Sequence, residues 1–359
     1  VATDNQHDDV VDASMDPGIS RRSVLEMAAK MGLGGAAVAA GVTGMGSTLT
    51  SALAAGGLPK KNYKFVFVNH VTTNEFFTPT RYGIEDACAM LGCTYQWTGS
   101  EKSVVSEMVG AMQSAIAARV DGIAVCLVDP TAFNKPTQQA LSIGIPVIGY
   151  NADTTGNARL SYVGQGLYQS GYNIAKKWLP MVKKGSTVML SIGTPGSLNL
   201  QPRLDGYIKA IKDAGNPVKY DVLASGVTQD LANSRIESYY LSHKNVGGMF
   251  GTGGGDTQAC GMVSKKYGLA KKGVIIAGYD LEPATLSYIA SSDMAFTTDQ
   301  QPYLQGFIPT LQMYLYKLSK GQVAPANTDT SLAYVVKDNV QTYLGFKSRF
   351  EGSSSAEPS

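Results

Sequence analysis

The sequence is short of charge and of the side chains that carry metal or redox chemistry. Only 16% of its 359 residues are Asp, Glu, Lys or Arg, against roughly a quarter in an average domain. With 44% of residues hydrophobic, so little charge excludes an intrinsically disordered chain. Histidine occurs three times, at His7, His70 and His243, too sparsely for a zinc site or a nucleophile, base and orienting partner. The four cysteines, Cys88, Cys93, Cys126 and Cys260, show no metal-ligand spacing and are too few for a disulfide scaffold. A local bridge between Cys88 and Cys93 stays open, whereas Cys126 in an apolar strand and Cys260 in a helix read as buried thiols. Apolar runs are short, which excludes a polytopic membrane protein. The 40 glycines follow no fixed period, which excludes a collagen-like chain. No stretch concentrates Lys and Arg into a stripe, so nucleic acid is not an expected partner.

What is present begins with an address. Ser20-Arg21-Arg22-Ser23-Val24-Leu25 precedes a mildly apolar run rich in Gly and Ala, Met27 to Leu53, that contains no acid. This is the layout of a signal peptide. Paired arginines, moderate hydrophobicity and the small-residue site Ala52-Leu53-Ala54 resemble a twin-arginine export signal over residues 1–54. Glycines in the run weigh against a spanning anchor. Cleavage near Ala54 would leave a periplasmic chain of 305 residues with 27 bases and 22 acids, net +5.

From Lys64 onward, short β-branched and aromatic runs alternate with amphipathic segments. Strands are expected at 64–70, 95–97, 122–128, 146–150 and 160–165, and again at 187–192, 220–224, 248–251, 274–279, 295–298 and 332–336. Helices are expected between them, among them 77–91, 204–214, 233–243, 257–267 and 303–319. The length suggests about two domains. The alternation predicts an α/β fold of two doubly wound Rossmann-like lobes joined by a three-stranded hinge, with chain crossings near Gln165, Gln300 and Thr330. The first lobe takes residues 62–165 and 301–330, the second 166–300 and 331–345. A polar tail without periodicity, 346–359, is expected to be flexible.

In open parallel sheets, ligands bind beyond the carboxyl ends of the strands. Those ends here carry Asn74-Glu75-Phe76-Phe77, Asp129-Pro130-Thr131, Asn151-Ala152-Asp153, Gly193-Thr194-Pro195 before Arg203, Thr252 to Asp256, Asp280, and Asp299-Gln300-Gln301-Pro302. Each residue alone is a common turn former or helix cap. Together they suit a neutral polyhydroxylated ligand, because every hydroxyl both donates and accepts. Carboxylates and amide oxygens would take its protons, Arg and amide NH2 groups would supply theirs, and aromatic rings would cover its C–H surface.

Several of these segments resemble pocket segments of ribose-type periplasmic binding proteins, the solute-binding components of sugar ABC transporters. Asn74-Glu75-Phe76-Phe77 is similar to that family's Asn-Pro-Phe-Phe. Ile145-Pro-Val-Ile-Gly-Tyr-Asn151, Gly278-Tyr-Asp280 and Gln300-Gln-Pro302 follow in the family's order, and the similarity covers about residues 62–340. The resemblance implies the type I binding-protein fold and a first-lobe wall of Asn74, Phe76 and Phe77. It implies further contacts from Asp129, Asn151, Arg203, Gly255 and Asp280, with Gln300 as the hinge-side amide. Asn151-Ala152 stands where the family usually has Asp-Arg, and Gly255 where ribose binders keep asparagine. These departures point toward another pentose, a hexose or an acyclic sugar alcohol.

The implied function is capture of a monosaccharide or polyol and delivery to an ABC permease at the inner membrane, by a monomer with no cofactor, no metal and no catalytic residues. A sugar-sensing component for signalling or chemotaxis is the alternative. Gly251-Thr-Gly-Gly-Gly255 departs from the dinucleotide fingerprint in its last spacing. Residues 1–60 show no helix-turn-helix of the kind a repressor would need.

Overall fold

The computed structural model describes residues 57–345. The export signal and the polar tail fall outside the described residues. Within them, strand β1 (Lys64–Asn69), helix α1 (Thr78–Leu91), β2 (Thr94–Gly99), α2 (Val105–Ala117), β3 (Gly122–Val125), α3 (Asn134–Ser142), β4 (Val147–Tyr150) and β5 (Ser161–Gly164) follow in order. A second series runs α4 (Leu167–Trp178), β6 (Thr187–Ile192), α5 (Gln201–Asp213), β7 (Lys219–Ala224), α6 (Gln229–Ser242), β8 (Gly248–Gly251), α7 (Gly254–Tyr267), β9 (Ile275–Ala277), α8 (Pro283–Ala290) and β10 (Phe296–Asp299). The chain closes with α9 (Leu304–Leu318), β11 (Thr328–Asp329), β12 (Ala333–Val336) and α10 (Val340–Gly345).

Two six-stranded sheets result, one ordered β2-β1-β3-β4-β5-β11 and the other β7-β6-β8-β9-β10-β12. The pairs are parallel except for β10 with β12, which is antiparallel. Central strands such as Phe65 to Val68 and Val188 to Leu190 are apolar and buried on both faces, as parallel strands under two helical layers must be. In each sheet the order in which strands are added reverses at the first strand, so the connections diverge between β1 and β3 and between β6 and β8. That is where loops diverge and leave a crevice.

The expected crossings are present. The chain leaves β5 of the first sheet at Gln165 and enters the second. It returns from β10 through Gln300 to α9, and passes from β11 through Thr330 to β12. Side chains tie the crossings together: Gln165 Nε2 donates to Ser331 O (3.1 Å) and Thr330 Oγ1 to Gln300 O (2.8 Å).

Element ends differ from expectation where a side chain takes over a backbone partner. Strand β9 stops at Ala277 because the Tyr279 N–H bonds to Thr257 Oγ1 at 2.9 Å. Helix α6 starts at Gln229 because Thr228 caps it through the Leu231 N–H. The two-residue β11 and the short α10 were not expected, being too brief to show a period. All four cysteines are free and buried, Cys88 and Cys93 included.

Two helix pairs brace the lobes by close approach through glycine. In α1 and α9, a methyl at Gly83 would overlap the Tyr303 carbonyl oxygen, and one at Gly306 that of Thr80. In α4 and α5, Gly171 lies against the Arg203 carbonyl oxygen and Gly206 against that of Tyr168. The second contact fixes the start of the helix that carries Arg203. Gly171→Ala is expected to destabilise the protein by about 1–3 kcal/mol through forced separation of the two helices. Gly110→Ala in α2, where nothing lies within 4 Å, should stabilise it by up to about 1 kcal/mol. Denaturant unfolding of the two variants checks the contrast.

Candidate ligand-binding site

The crevices of the two sheets face each other, and one cavity opens between them. From the first lobe it is walled by His70 and Val71 after β1, by Asn74, Phe76, Phe77 and Ser103, and by Asn151 after β4. The second lobe contributes Thr194, Ser197, Asn199 and Arg203 from the β6–α5 segment, Gly253 to Asp256 at the start of α7, and Asp280 and Glu282 after β9. Gln300 closes it at the hinge.

Of the residues expected from sequence, Asn74, Phe76, Phe77, Asn151, Arg203, Gly255, Asp280 and Gln300 meet around this cavity. Asp129 does not. Its Oδ1 accepts the backbone N–H groups of Thr131 (2.9 Å) and Ala132 (2.8 Å). Those bonds hold its carboxyl below the usual range. Asp129 thus shapes its own turn through Oδ1 and does not line this cavity.

Local backbone geometry aims the others. Asn74 Oδ1 caps the 3-10 turn Glu75–Phe77 through the Phe76 N–H (2.9 Å), which sets the two rings edge to face at 4.8 Å. Asn151 and Asp280 both hold left-handed backbone, φ 62° and 76°, a conformation that Asn and Asp tolerate best among side-chain-bearing residues. Each sits at the abrupt turn after its strand. Asn151 Nδ2 donates to Gln305 Oε1 (3.1 Å), while its buried Oδ1 has no protein partner.

Arg203 is 3% exposed. It donates from Nη1 to Thr252 O (3.0 Å) and from Nη2 to Gln165 Oε1 (3.2 Å) and Gln300 Oε1 (2.9 Å). Its guanidinium carbon lies 3.9 Å from the centre of the Tyr279 ring, a cation over a π face. Gln300 Nε2 in turn donates to Asp280 Oδ1 at 2.6 Å. Burial pushes the Asp280 carboxyl up, and Arg203, Gln300 and the Gly254 N–H oppose that push. The site therefore offers a charged donor, a charged acceptor, amides and rings in one enclosure, which can bind a hydroxyl-bearing molecule from several sides.

His70, Ser197, Asn199 and Glu282 lay outside the polar groups expected at the strand ends, and Thr194 and Asp256 stood among those groups without being assigned as contacts. His70 ends the first expected strand, Asp256 ends the glycine run and Glu282 lies two residues after Asp280, so position relative to strand ends marked all three. Nothing in the sequence marked Asn199. Its Oδ1 accepts from Ser197 Oγ (2.6 Å), so its amide NH2 faces His70 Nε2 at 3.2 Å, across the cleft. That pairing puts the imidazole proton on Nδ1, a buried donor without a protein partner beside the cavity.

Residues 65–322 match a family model described as the periplasmic binding protein domain. A curated relative, the xylose/arabinose-binding protein XylF of Sulfolobus acidocaldarius, is 47% identical over 308 residues, covering 82% of this chain and 76% of that one. Among solved structures, an ABC transporter solute binding protein of Burkholderia graminis in complex with D-arabinose superposes with a TM-score of 0.72 at 22% identity, covering 79% of this chain and 98% of that one. GanP, a glucose-galactose binding protein of Geobacillus stearothermophilus, gives 0.71 at 23% identity, with 78% and 99% covered. These structures share the two-lobed fold described above.

Burial lowers the His70 pKa to about 4, while the unfolded chain titrates near 6.5. Above pH 6.5 both states are neutral and His70 adds no pH dependence. As pH falls from about 6.5 to 4, the unfolded chain takes a proton that the folded one refuses, a loss of about 3 kcal/mol. Protonated His70 would also turn an N–H toward the Asn199 amide and break the contact between lobes. His70→Gln is expected to remove this part of the acid sensitivity. Urea unfolding of both proteins at pH 7 and pH 4 checks it.

Proposed function

We propose, from the premise that this chain belongs to the periplasmic binding protein domain family, that it captures a neutral monosaccharide or sugar alcohol between its lobes. It then presents that solute to an ABC-transporter permease. The observation that carries this reading is the convergence of Arg203, Asp280, Gln300, Asn151 and the Phe76–Phe77 rings on one interlobe cavity. It is a non-catalytic binding component, as its family is. Contacts are assigned to Asn74, Phe76, Phe77, Asn151, Arg203, Gly255, Asp280 and Gln300.

The name of the 47% identical relative makes pentoses, xylose and arabinose, the first ligands to test. Family membership goes with a periplasmic location. The twin-arginine signal over residues 1–54, with cleavage near Ala54, belongs to the proposal. So do lobe boundaries at 165, 300 and 330 and a monomer that binds no nucleic acid.

Solute that touches both lobes favours the closed arrangement by its differential affinity. In a thermal-shift panel of D-xylose, L-arabinose, D-ribose, D-glucose, myo-inositol and ribitol, at least one is expected to raise the melting temperature, since it binds only the folded state. By calorimetry, Arg203→Met and Asp280→Ala should each weaken that ligand on the order of 100-fold or more, and Phe76→Ala about tenfold. Unchanged affinity in both charge variants would sink the assignment.

A further inference from the structure

Three carboxyl groups crowd the N-terminus of α7, and the positive groups there answer only two. Asp256 accepts the N–H groups of Thr252 (3.1 Å) and Gly253 (2.8 Å). Asp280 accepts Gln300 Nε2 and the Gly254 N–H and faces Arg203. The guanidinium commits Nη1 and Nη2 to Thr252, Gln165 and Gln300, and its Nε–H has no protein partner. A helix N-terminus supplies the equivalent of only about half a positive charge. Glu282 is the third carboxyl, 8% exposed, and its Oε2 has no protein partner. It lines the main cavity and a smaller one beside Phe76 and Gln300. It is seated where Gly254 leaves no side chain, since a methyl there would overlap Oε1.

We propose that Glu282 is a specificity-determining ligand contact which the solute meets as a neutral carboxylic acid, its Oε2–H donating to a solute oxygen. The inference rests on the solute-binding reading above and deepens it. Arg203 and His70 line the main cavity with Glu282. The carboxyls around it work in the same direction: Asp280 on its own loop, Asp256 from α7, and Glu75 from the other lobe, with Asp299 lining the smaller cavity from the hinge side. Burial and those charges push its pKa well up, opposed by its own backbone N–H. A protonated carboxyl gains a donor that a carboxylate lacks. Leaving that buried group unmatched costs free energy that a solute hydroxyl or ring oxygen recovers on binding.

The test is calorimetric titration of the full chain with D-xylose and L-arabinose between about pH 5 and 9. Wild-type affinity is expected to fall relative to that of Glu282→Gln as pH rises and the raised Glu282 carboxyl gives up its donor proton. Glu282→Gln, whose amide also donates, should bind within about threefold of wild type with no such fall, and Glu282→Met should lose about tenfold. An infrared difference spectrum of wild type minus Glu282→Gln at neutral pH should contain a protonated-carboxyl band, a readout that needs no ligand. The proposal is overturned if Glu282→Met binds like wild type, if that band is missing, or if wild-type affinity rises with pH while Glu282→Gln loses as much as Glu282→Met. If the folded wild type binds no sugar or polyol in the panel, the solute-binding reading itself fails and this inference falls with it.

Discussion

A guanidinium withdrawn from water needs partners, and the arrangement of this molecule follows from how Arg203 is answered at Nη1 and Nη2, its buried Nε–H keeping no protein partner. An unpaired buried charge costs several kcal/mol. Here the charge is distributed over the end of β8 through Thr252, over the first crossing through Gln165 and over the second through Gln300, with the Tyr279 ring beneath it. The third crossing joins through Thr330, which donates to Gln300 O. One side chain from α5 therefore ties two of the crossings directly, and the third is held to them through Gln300. It also fixes Gln300, which in turn holds Asp280. Hinge and ligand site share the same bonds, so occupancy of the site can change the hinge.

The architecture was legible because burial imposes periods. Strands β6 at 187–192 and β8 at 248–251 are where alternating composition places them, and the polar residues after strand ends mark the crevice. Side-chain choice of partner was less legible. Asp129 has the composition of a ligand contact, yet two adjacent backbone N–H groups satisfy it first. His70 and Asn199 meet only because two lobes close, 129 residues apart in sequence, and no local pattern encodes that. Glu282 required knowing that Asp256 and Asp280 had already taken the positive groups around α7.

The scarcity of charge in the chain gains meaning at the cavity. With few ionic groups in total, the protein gathers Arg203, Asp256, Asp280 and Glu282 in one enclosure and surrounds them with amides, hydroxyls and rings. Such a site recognises hydroxyl groups by direction, and its low dielectric strengthens each bond made. The phenyl rings Phe76 and Phe77, fixed edge to face by the Asn74 cap, present an apolar wall on the opposite side.

Besides the hinge, bonds among the described residues cross the cleft, among them Leu198 N–H to Val128 O (3.0 Å) and the Asn199–His70 pair. Such marginal bonds give a shallow preference for closure, so a solute that adds bonds from both lobes decides the balance. The most direct test is small-angle X-ray scattering of the protein with and without saturating D-xylose or L-arabinose, whichever calorimetry shows to bind. A fall in radius of gyration on addition, to the value calculated from this structure, is the predicted result. A bound sugar with an unchanged radius would contradict the claim that the solute holds the lobes together.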